Sequence, residues 1–281
     1  MDGRFVVFDS HMHTPMCHHA FGEPEQYAEQ GVTMGLSGII MTCHSPMPNG
    51  FSSWVRMAPE EFDDYVALVD RARVAYEDRL TIRLGMESDY FPGMESWLEE
   101  LHGRADFHYI LGSVHYFLDE WEPHLPSLVR AQSDESTAVR LFEAYFAALA
   151  DSAETGLFDS LAHPDLVKNA APDFWDPTKI ADVMGASLDR IAATGVAMEL
   201  NTSGRKKKYA EFNPCDPMLK MMAERNIPIV LGSDSHQPER VAEAFDEALD
   251  SIEAAGYEAV SVFENRTRSE IAIADARSAL S

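Results

Sequence analysis

Short apolar runs alternate with longer amphipathic ones along the whole chain. Residues 4–9, 37–42, 81–86, 108–114, 157–162, 196–200 and 227–233 are short and dense in Val, Ile, Leu, Met and Phe, bounded by polar or glycine-containing stretches. That is the pattern of strands buried on both faces. Between them lie segments with helical periodicity, predicted at 23–35, 59–78, 94–102, 134–155, 178–194, 217–226 and 238–255, with a final short strand at 259–263. Pro24 starts the first helix and Gly35 ends it, Ser133 or Asp134 can cap the fourth, and Gly156 and Gly195 stop the fourth and fifth. In the second helix Phe62, Tyr65, Val66, Val69 and Ala72 form one apolar stripe, which reads as core. Two loops stand out: 45–57, rich in Pro, Asn, Gly and Ser and carrying Trp54, is a candidate pocket wall, and 117–133, with Trp121, Pro123 and Pro126, is expected to cross one face.

Strands separated by helices must run parallel, joined by right-handed crossovers. A chain of 281 residues can close such a series around one core, so the expected architecture is an α/β barrel occupying residues 1–281 as a single domain, without internal repeats.

In a parallel barrel the chemistry collects at the carboxyl ends of the strands, and this chain puts metal-ligand residue types there repeatedly. His11 and His13 follow the first strand, His44 the second, Glu87 the third, His115 the fourth, His163 the fifth, and Asp234 and His236 the seventh. In extended chain residues i and i+2 share a side, so His11 and His13 can meet one ion, with Asp9 a candidate support behind them. His18, His102, His108 and His124 fall elsewhere and are read as surface or structural. Imidazole and carboxylate without thiolate suit Zn, Mn or Fe in a hydrolytic site, and the set is too large for one ion, so two or three clustered divalent ions are expected. Such clusters polarise phosphoryl oxygens and lower the pKa of water.

Charge narrows the partners. With 47 acidic against 22 basic residues the formal net charge is −25, which repels phosphate backbones and anionic lipid; nucleic acid and membranes are excluded on charge, and no apolar run is long enough to span a bilayer. A small anion can still approach where divalent ions dominate the field. Cys17, Cys43 and Cys215 cannot all pair and match no zinc ribbon, and no leader-like segment precedes the first strand, so a reduced, cytoplasmic protein is expected, a monomer or small homo-oligomer.

The series His11-x-His13, His19-Ala20, Thr42-Cys43-His44-Ser45-Pro46, Gly85-Met86-Glu87, Gly112-Ser113-Val114-His115, Ala162-His163-Pro164-Asp165 and Gly232-Ser233-Asp234-Ser235-His236 resembles the PHP (polymerase and histidinol phosphatase) superfamily. The resemblance implies a distorted seven-stranded barrel. It also implies ligand sets: His11, His13, Glu87 and Asp234 around one ion, Glu87 bridging to a second with His115 and His163, and His19, His44 and His236 around a third. It selects His19 over His18, because the family's histidine precedes a small residue. Glu199-Leu-Asn-Thr-Ser-Gly204 followed by basic residues, with His163-Pro-Asp-Leu-Val-Lys168, is similar to the histidinol-phosphatase branch. That similarity implies hydrolysis of L-histidinol phosphate in histidine biosynthesis, with Arg205 and Lys168 gripping the phosphate. Asp165 or a metal-site histidine would protonate the leaving alkoxide, and Glu87, Asp234 and His236 would serve catalysis by holding the ions. Another small phosphate ester, a nucleotide or sugar phosphate, or a non-catalytic metal-binding module are the alternatives. The chain departs from the family at Cys43, where an aspartate is common.

Overall fold

A computed structural model describes residues 7–117 and 132–280. Nine strands form one sheet in sequence order: β1 (Phe8–Asp9), β2 (Gly38–Met41), β3 (Thr81–Asp89), β4 (Tyr109–Ser113), β5 (Ser160–Leu161), β6 (Ala197–Asn201), β7 (Ile229–Gly232), β8 (Ala259–Glu264) and β9 (Thr267–Ala272). The pairs from β1–β2 to β7–β8 are all parallel. The ring closes where the chain after β1 meets the chain after β7: Ser10 N–H donates to Leu231 O at 3.1 Å, Ser235 N–H to His11 O at 3.2 Å, and His13 N–H to Ser235 O at 2.8 Å. The result is a distorted seven-stranded α/β barrel with β8 and β9 appended.

Side-chain alternation divides the core. Phe8, Ile40, Tyr109, Leu111, Ala162, Ala197 and Val230 form the inner cluster, which β8 extends with Val262 and Phe263, whereas Ile39 and Met41, flanking Ile40 on β2, face the outer layer. That layer is packed by α1 (Pro24–Thr33), α2 (Phe62–Ala75), α3 (Glu95–His102), α4 (Glu135–Glu154), α5 (Ala181–Thr194), α6 (Asp216–Glu224), α7 (Phe245–Ala255) and α8 (Ile273–Leu280). The expected stripe on α2 holds at Phe62, Tyr65, Val69 and Ala72, all fully buried or nearly so.

The structure departs from the sequence expectation in four places. β3 runs on through Glu87 to Asp89, because pairing with β4 continues to Asp89–Ser113; Glu87 is therefore inside a strand, not beyond one. The helix expected over 238–255 is broken: Pro238–Arg240 makes one 3-10 turn, Ala242 and Ala244 take positive φ, and α7 starts at Phe245. The cause is Asp9, whose carboxylate accepts the Ala242 N–H at 2.9 Å and holds that backbone against β1. β9 and α8 were not expected, since β9 is mostly exposed and lacks an apolar run. Of the loop expected over 117–133, positions 118–131, including Trp121, Pro123, His124 and Pro126, lie outside the described residues. Among the described residues no helix is long and apolar enough to cross a membrane.

Candidate metal centre

The ligand-type residues do converge. Register does most of the placing: Glu87 on β3 pairs with Leu111 of β4, and an isolated parallel bridge sets His44 beside Glu87. Glu87 is then the hub. Its Oε2 lies 2.7 Å from His44 Nδ1, 3.5 Å from His11 Nε2 and 3.6 Å from His13 Nε2, while Oε1 lies 3.1 Å from His163 Nε2 and 3.8 Å from His115 Nε2. Asp234 Oδ1 stands 3.2 Å from His13 Nε2, 3.7 Å from His11 Nε2 and 3.4 Å from His236 Nδ1. His19 joins through His236, their Nε2 atoms 2.9 Å apart. His18, its neighbour, has φ +65°, is exposed and reaches Ser53 O instead, so one residue separates a ring of the cluster from a surface group. Both His163 (φ +28°) and Asp234 (φ +51°) hold positive φ, strain that the surrounding structure must overcome to aim them inward.

Several rings have their second nitrogen committed to an acceptor. His11 Nδ1 is 2.8 Å from Glu199 Oε1, His115 Nδ1 2.7 Å from Asp89 Oδ1, His19 Nδ1 2.7 Å from Cys17 O, and His236 Nδ1 3.1 Å from Asp234 O. Carboxylates and carbonyls only accept, so each Nδ1 carries the hydrogen and, in the neutral ring, each Nε2 presents a lone pair inward. In that state the two lone pairs of His19 and His236 face each other at 2.9 Å, an arrangement a cation satisfies and a hydrogen bond does not. Buried Nδ1 atoms of His13 and His163 also lack hydrogen-bond partners. Glu87 and Asp234 are at most 6% exposed, and among the described residues no Lys or Arg forms an ion pair with Glu87. Glu87 depends on imidazoles alone for its balance, and Asp234 on imidazoles and Lys207, an acidic cluster that accommodates further positive charge. The donors present thus fit divalent cations, in overlapping groups that include His11–His13–Asp234, His13–His44–Glu87, His44–Asp89–His115 and His19–His44–His236.

Titration follows the same electrostatics. Burial works to raise the Glu87 carboxyl, but the imidazoles of His44, His11 and His163 outweigh it and hold it well below the usual range. Burial would lower His13, yet Asp234, Cys17 and Glu87 raise it to about 9. Burial and the neighbouring His13 and His115 rings, against the pull of Glu87, set His44 at about 3, and burial beside His13 sets His236 at about 2.

Four residues that support the cluster were not singled out from the sequence. Glu199 on β6 takes His11 Nδ1–H with one oxygen and His163 N–H, at 2.8 Å, with the other. It passes over Gly232, where any Cβ would collide with the Glu199 carboxylate and crowd His11 Cβ. Asp89 links His115 to Arg56, whose Nη1 lies 2.6 Å away and whose side chain is buried against Ser45 O and Ser52 Oγ. Lys207 Nζ reaches Asp234 Oδ2 at 3.2 Å. A readable signal existed for the acids: Glu199 interrupts an otherwise apolar strand, and Asp89 shares a face with Glu87 two residues on.

Other expected site residues are placed differently. Arg205 lies 3.4 Å from Glu247 and 5.3 Å over the Phe212 ring, half exposed. Lys168 is sealed, its Nζ surrounded by Asp165 Oδ2 and Glu211 Oε1, each at 3.0 Å, and Phe212 O at 2.6 Å. A fully coordinated, buried ammonium has no donor left for phosphate. Asp165 is equally buried and accepts both Lys168 and the Cys215 N–H, so it ties loops together and is closed to a leaving group. Asp9 takes the backbone N–H groups of His11, Ser233 and Ala242 and touches no ligand ring; it closes the barrel.

Comparison with known proteins agrees with this geometry. The profile of the PHP domain matches residues 9–203. The chain is 39% identical over 248 residues to a probable histidinol-phosphatase of Deinococcus radiodurans, covering 88% of this chain and 93% of that one. It is 27% identical to a histidinol-phosphatase of Bacillus subtilis, covering 86% and 98%. Among solved structures, histidinol phosphate phosphatase of Lactococcus lactis, complexed with zinc, L-histidinol and phosphate, superposes with a TM-score of 0.73 at 18% identity, covering 94% of this chain and 98% of that one, a likeness of fold. With most of its length matched by the family profile and a relative of this identity aligned nearly end to end, the chain belongs to the PHP domain family.

Proposed function

We propose that this protein is a metal-dependent phosphomonoesterase that hydrolyses L-histidinol phosphate to L-histidinol and phosphate. The observation that carries the reading is the convergence of imidazole lone pairs on Glu87 and Asp234, joined to an identity of 39% with a relative named for that activity. Two or three divalent ions, Zn, Mn or Fe, are held by His11, His13, Glu87 and Asp234, by Glu87 with His115 and His163, and by His19, His44 and His236. Ions so held supply Lewis acidity toward a phosphoryl oxygen and toward water. Glu199 and Asp89 keep His11 and His115 oriented.

For phosphate we assign Lys207 in place of Lys168. Lys207 is the one Lys or Arg within salt-bridge reach of Asp234 among the described residues, it is 30% exposed, and an ammonium on a flexible stem can swing from Asp234 to a phosphoryl oxygen. Arg205 keeps a rim role through its guanidinium. Losing a charge-assisted hydrogen bond of about 1.5–3 kcal/mol should raise KM for Lys207→Ala by about tenfold or more, while Arg205→Ala shifts it less.

The test is phosphate release by chelator-stripped protein reloaded with Zn, Mn or Fe in turn, on L-histidinol phosphate and on nucleotide and sugar phosphates. Fast turnover of another ester with none of histidinol phosphate transfers the assignment to that ester. Absence of turnover on every ester, with metal bound, leaves a non-catalytic metal-binding module.

A further inference from the structure

We infer that the sulfur of Cys17 is a donor at the cation position formed by His19, His44 and His236, making it a three-imidazole, one-thiolate site for a thiophilic divalent ion. The inference rests on the metal-centre reading above and concerns the one donor type in the cluster that the reading leaves unused.

Cys17 is fully buried, at the end of a 3-10 turn (Pro15–Cys17) whose start is capped by Thr14. Its Sγ and ring nitrogens of His13 and His236 all lie within 4.8 Å of one another. The same turn delivers His19, because His19 Nδ1–H donates to the Cys17 carbonyl; sulfur and the His19 Nε2 lone pair are thus presented as one unit. His236 has spent its Nδ1–H on Asp234 O and turns Nε2 toward His19. His13 stacks on His236 with ring centroids 3.9 Å apart, and its wholly buried Nδ1 has no hydrogen-bond partner, an unsatisfied polar atom in the wall of this pocket.

The second thiol explains why Cys17 and not Cys43 is the donor. Cys43, where the family often has an aspartate, receives the Thr14 hydroxyl at 3.1 Å, points its own sulfur at Thr14 O at 3.6 Å and lies against the Cys17 thiol. Cys17 is the sulfur that meets the rings. On binding, the Cys17 S–H bond breaks, its proton goes to solvent and a sulfur–metal bond forms; no electron changes hands. Oxygen and nitrogen donors alone serve Mn, Fe and Zn alike, whereas one thiolate with three imidazoles is a tetrahedral set that favours Zn, and its spectroscopic stand-in Co(II), over Mn.

The experiment loads the full-length protein with Co(II) and records its absorption. Expected are visible d–d bands together with a near-ultraviolet sulfur-to-cobalt charge-transfer band that disappears in Cys17→Ser and survives in Cys43→Ser, both variants keeping the d–d bands that report an intact centre. Cobalt bound with d–d bands and no charge-transfer band in the wild type overturns this inference alone, leaving the metal centre standing. A charge-transfer band that follows Cys43 instead also overturns it. Failure of cobalt to bind at all overturns the inference and the metal centre together.

Discussion

The inner and outer halves of the centre are built by different means. His11, His13, Glu87 and Asp234 are buried, and three of them are held by named side-chain or register contacts: Glu87 by strand register, His11 by Glu199 of β6, and Asp234 by Ser203 Oγ at 2.8 Å and Lys207 from the turn that follows β6. His19 and His236 are aimed by backbone carbonyls of their own loops, and the His115 and His236 side chains are 24% and 25% exposed. A carboxylate fixed on a strand resists displacement, whereas a loop carbonyl moves with its loop. The inner position should therefore hold its ion through chelation that empties the outer one, and the outer position should exchange with the medium.

The largest effect that can break this division is at Glu87, whose carboxylate lies within 3.8 Å of five imidazoles drawn from both halves. Glu87→Ala removes the carboxylate that balances five rings, and phosphate release should fall on the order of a thousandfold, the scale of removing a dedicated electrostatic stabiliser. Metal analysis of the purified variant should find both positions depleted. Retention of the full metal complement would show that the halves are independent and Glu87 is no bridge.

A pH titration sharpens the contrast next. In the metal-free protein His13 titrates at about 9 and His11 is also raised, burial opposing Glu199, Asp234 and Glu87, which together win. A raised imidazole stays protonated below its pKa, so at neutral pH the inner position must shed protons before it can bind. Its affinity should climb about tenfold per pH unit for each proton, levelling near pH 9. At the outer position His44 and His236 sit at about 3 and 2 and already offer lone pairs; His19 is raised, by the Cys17 thiol against burial, and so is His115, where burial is outweighed by Asp89 and Glu87. Calorimetry in two buffers of different ionisation enthalpy would read the released protons, and equal release at both positions would erase the distinction.

How much of this could be read from sequence divides along similar lines. The seven parallel strands and the clustered residues at their ends were legible because period-2 burial and strand-end histidines are local features. His11, His13, His44 and His163 needed only their place after an apolar run. The choice of His19 over His18 was invisible to that logic, since it depends on a positive φ at His18. The basic residues carry a different lesson: the family resemblance points to Lys168 and Arg205 for phosphate, whereas the structure commits Lys168 to Asp165, Glu211 and Phe212 O and sets Arg205 beside Glu247 on α7. Long side chains choose partners in three dimensions, and sequence order does not record that choice.

The smallest predicted effect isolates the support beneath the inner ion. Glu199 touches no substrate and stands behind His11, one oxygen on the ring N–H and the other on the His163 backbone. Replacing it with Gln keeps the shape over Gly232 but lets the amide present N–H where the acceptor stood, which can reverse the His11 tautomer and turn its lone pair away from the centre. Loss of about 10- to 100-fold in metal affinity or activity is expected, confined to the inner position, with outer-ion exchange unchanged. Histidine NMR of the zinc-loaded protein would report the tautomer directly: His11 switching its protonated nitrogen supports an orienting role, whereas unchanged His11 signals with equal loss at both positions would mean that Glu199 acts on the barrel as a whole and that the inner half is no better anchored than the outer.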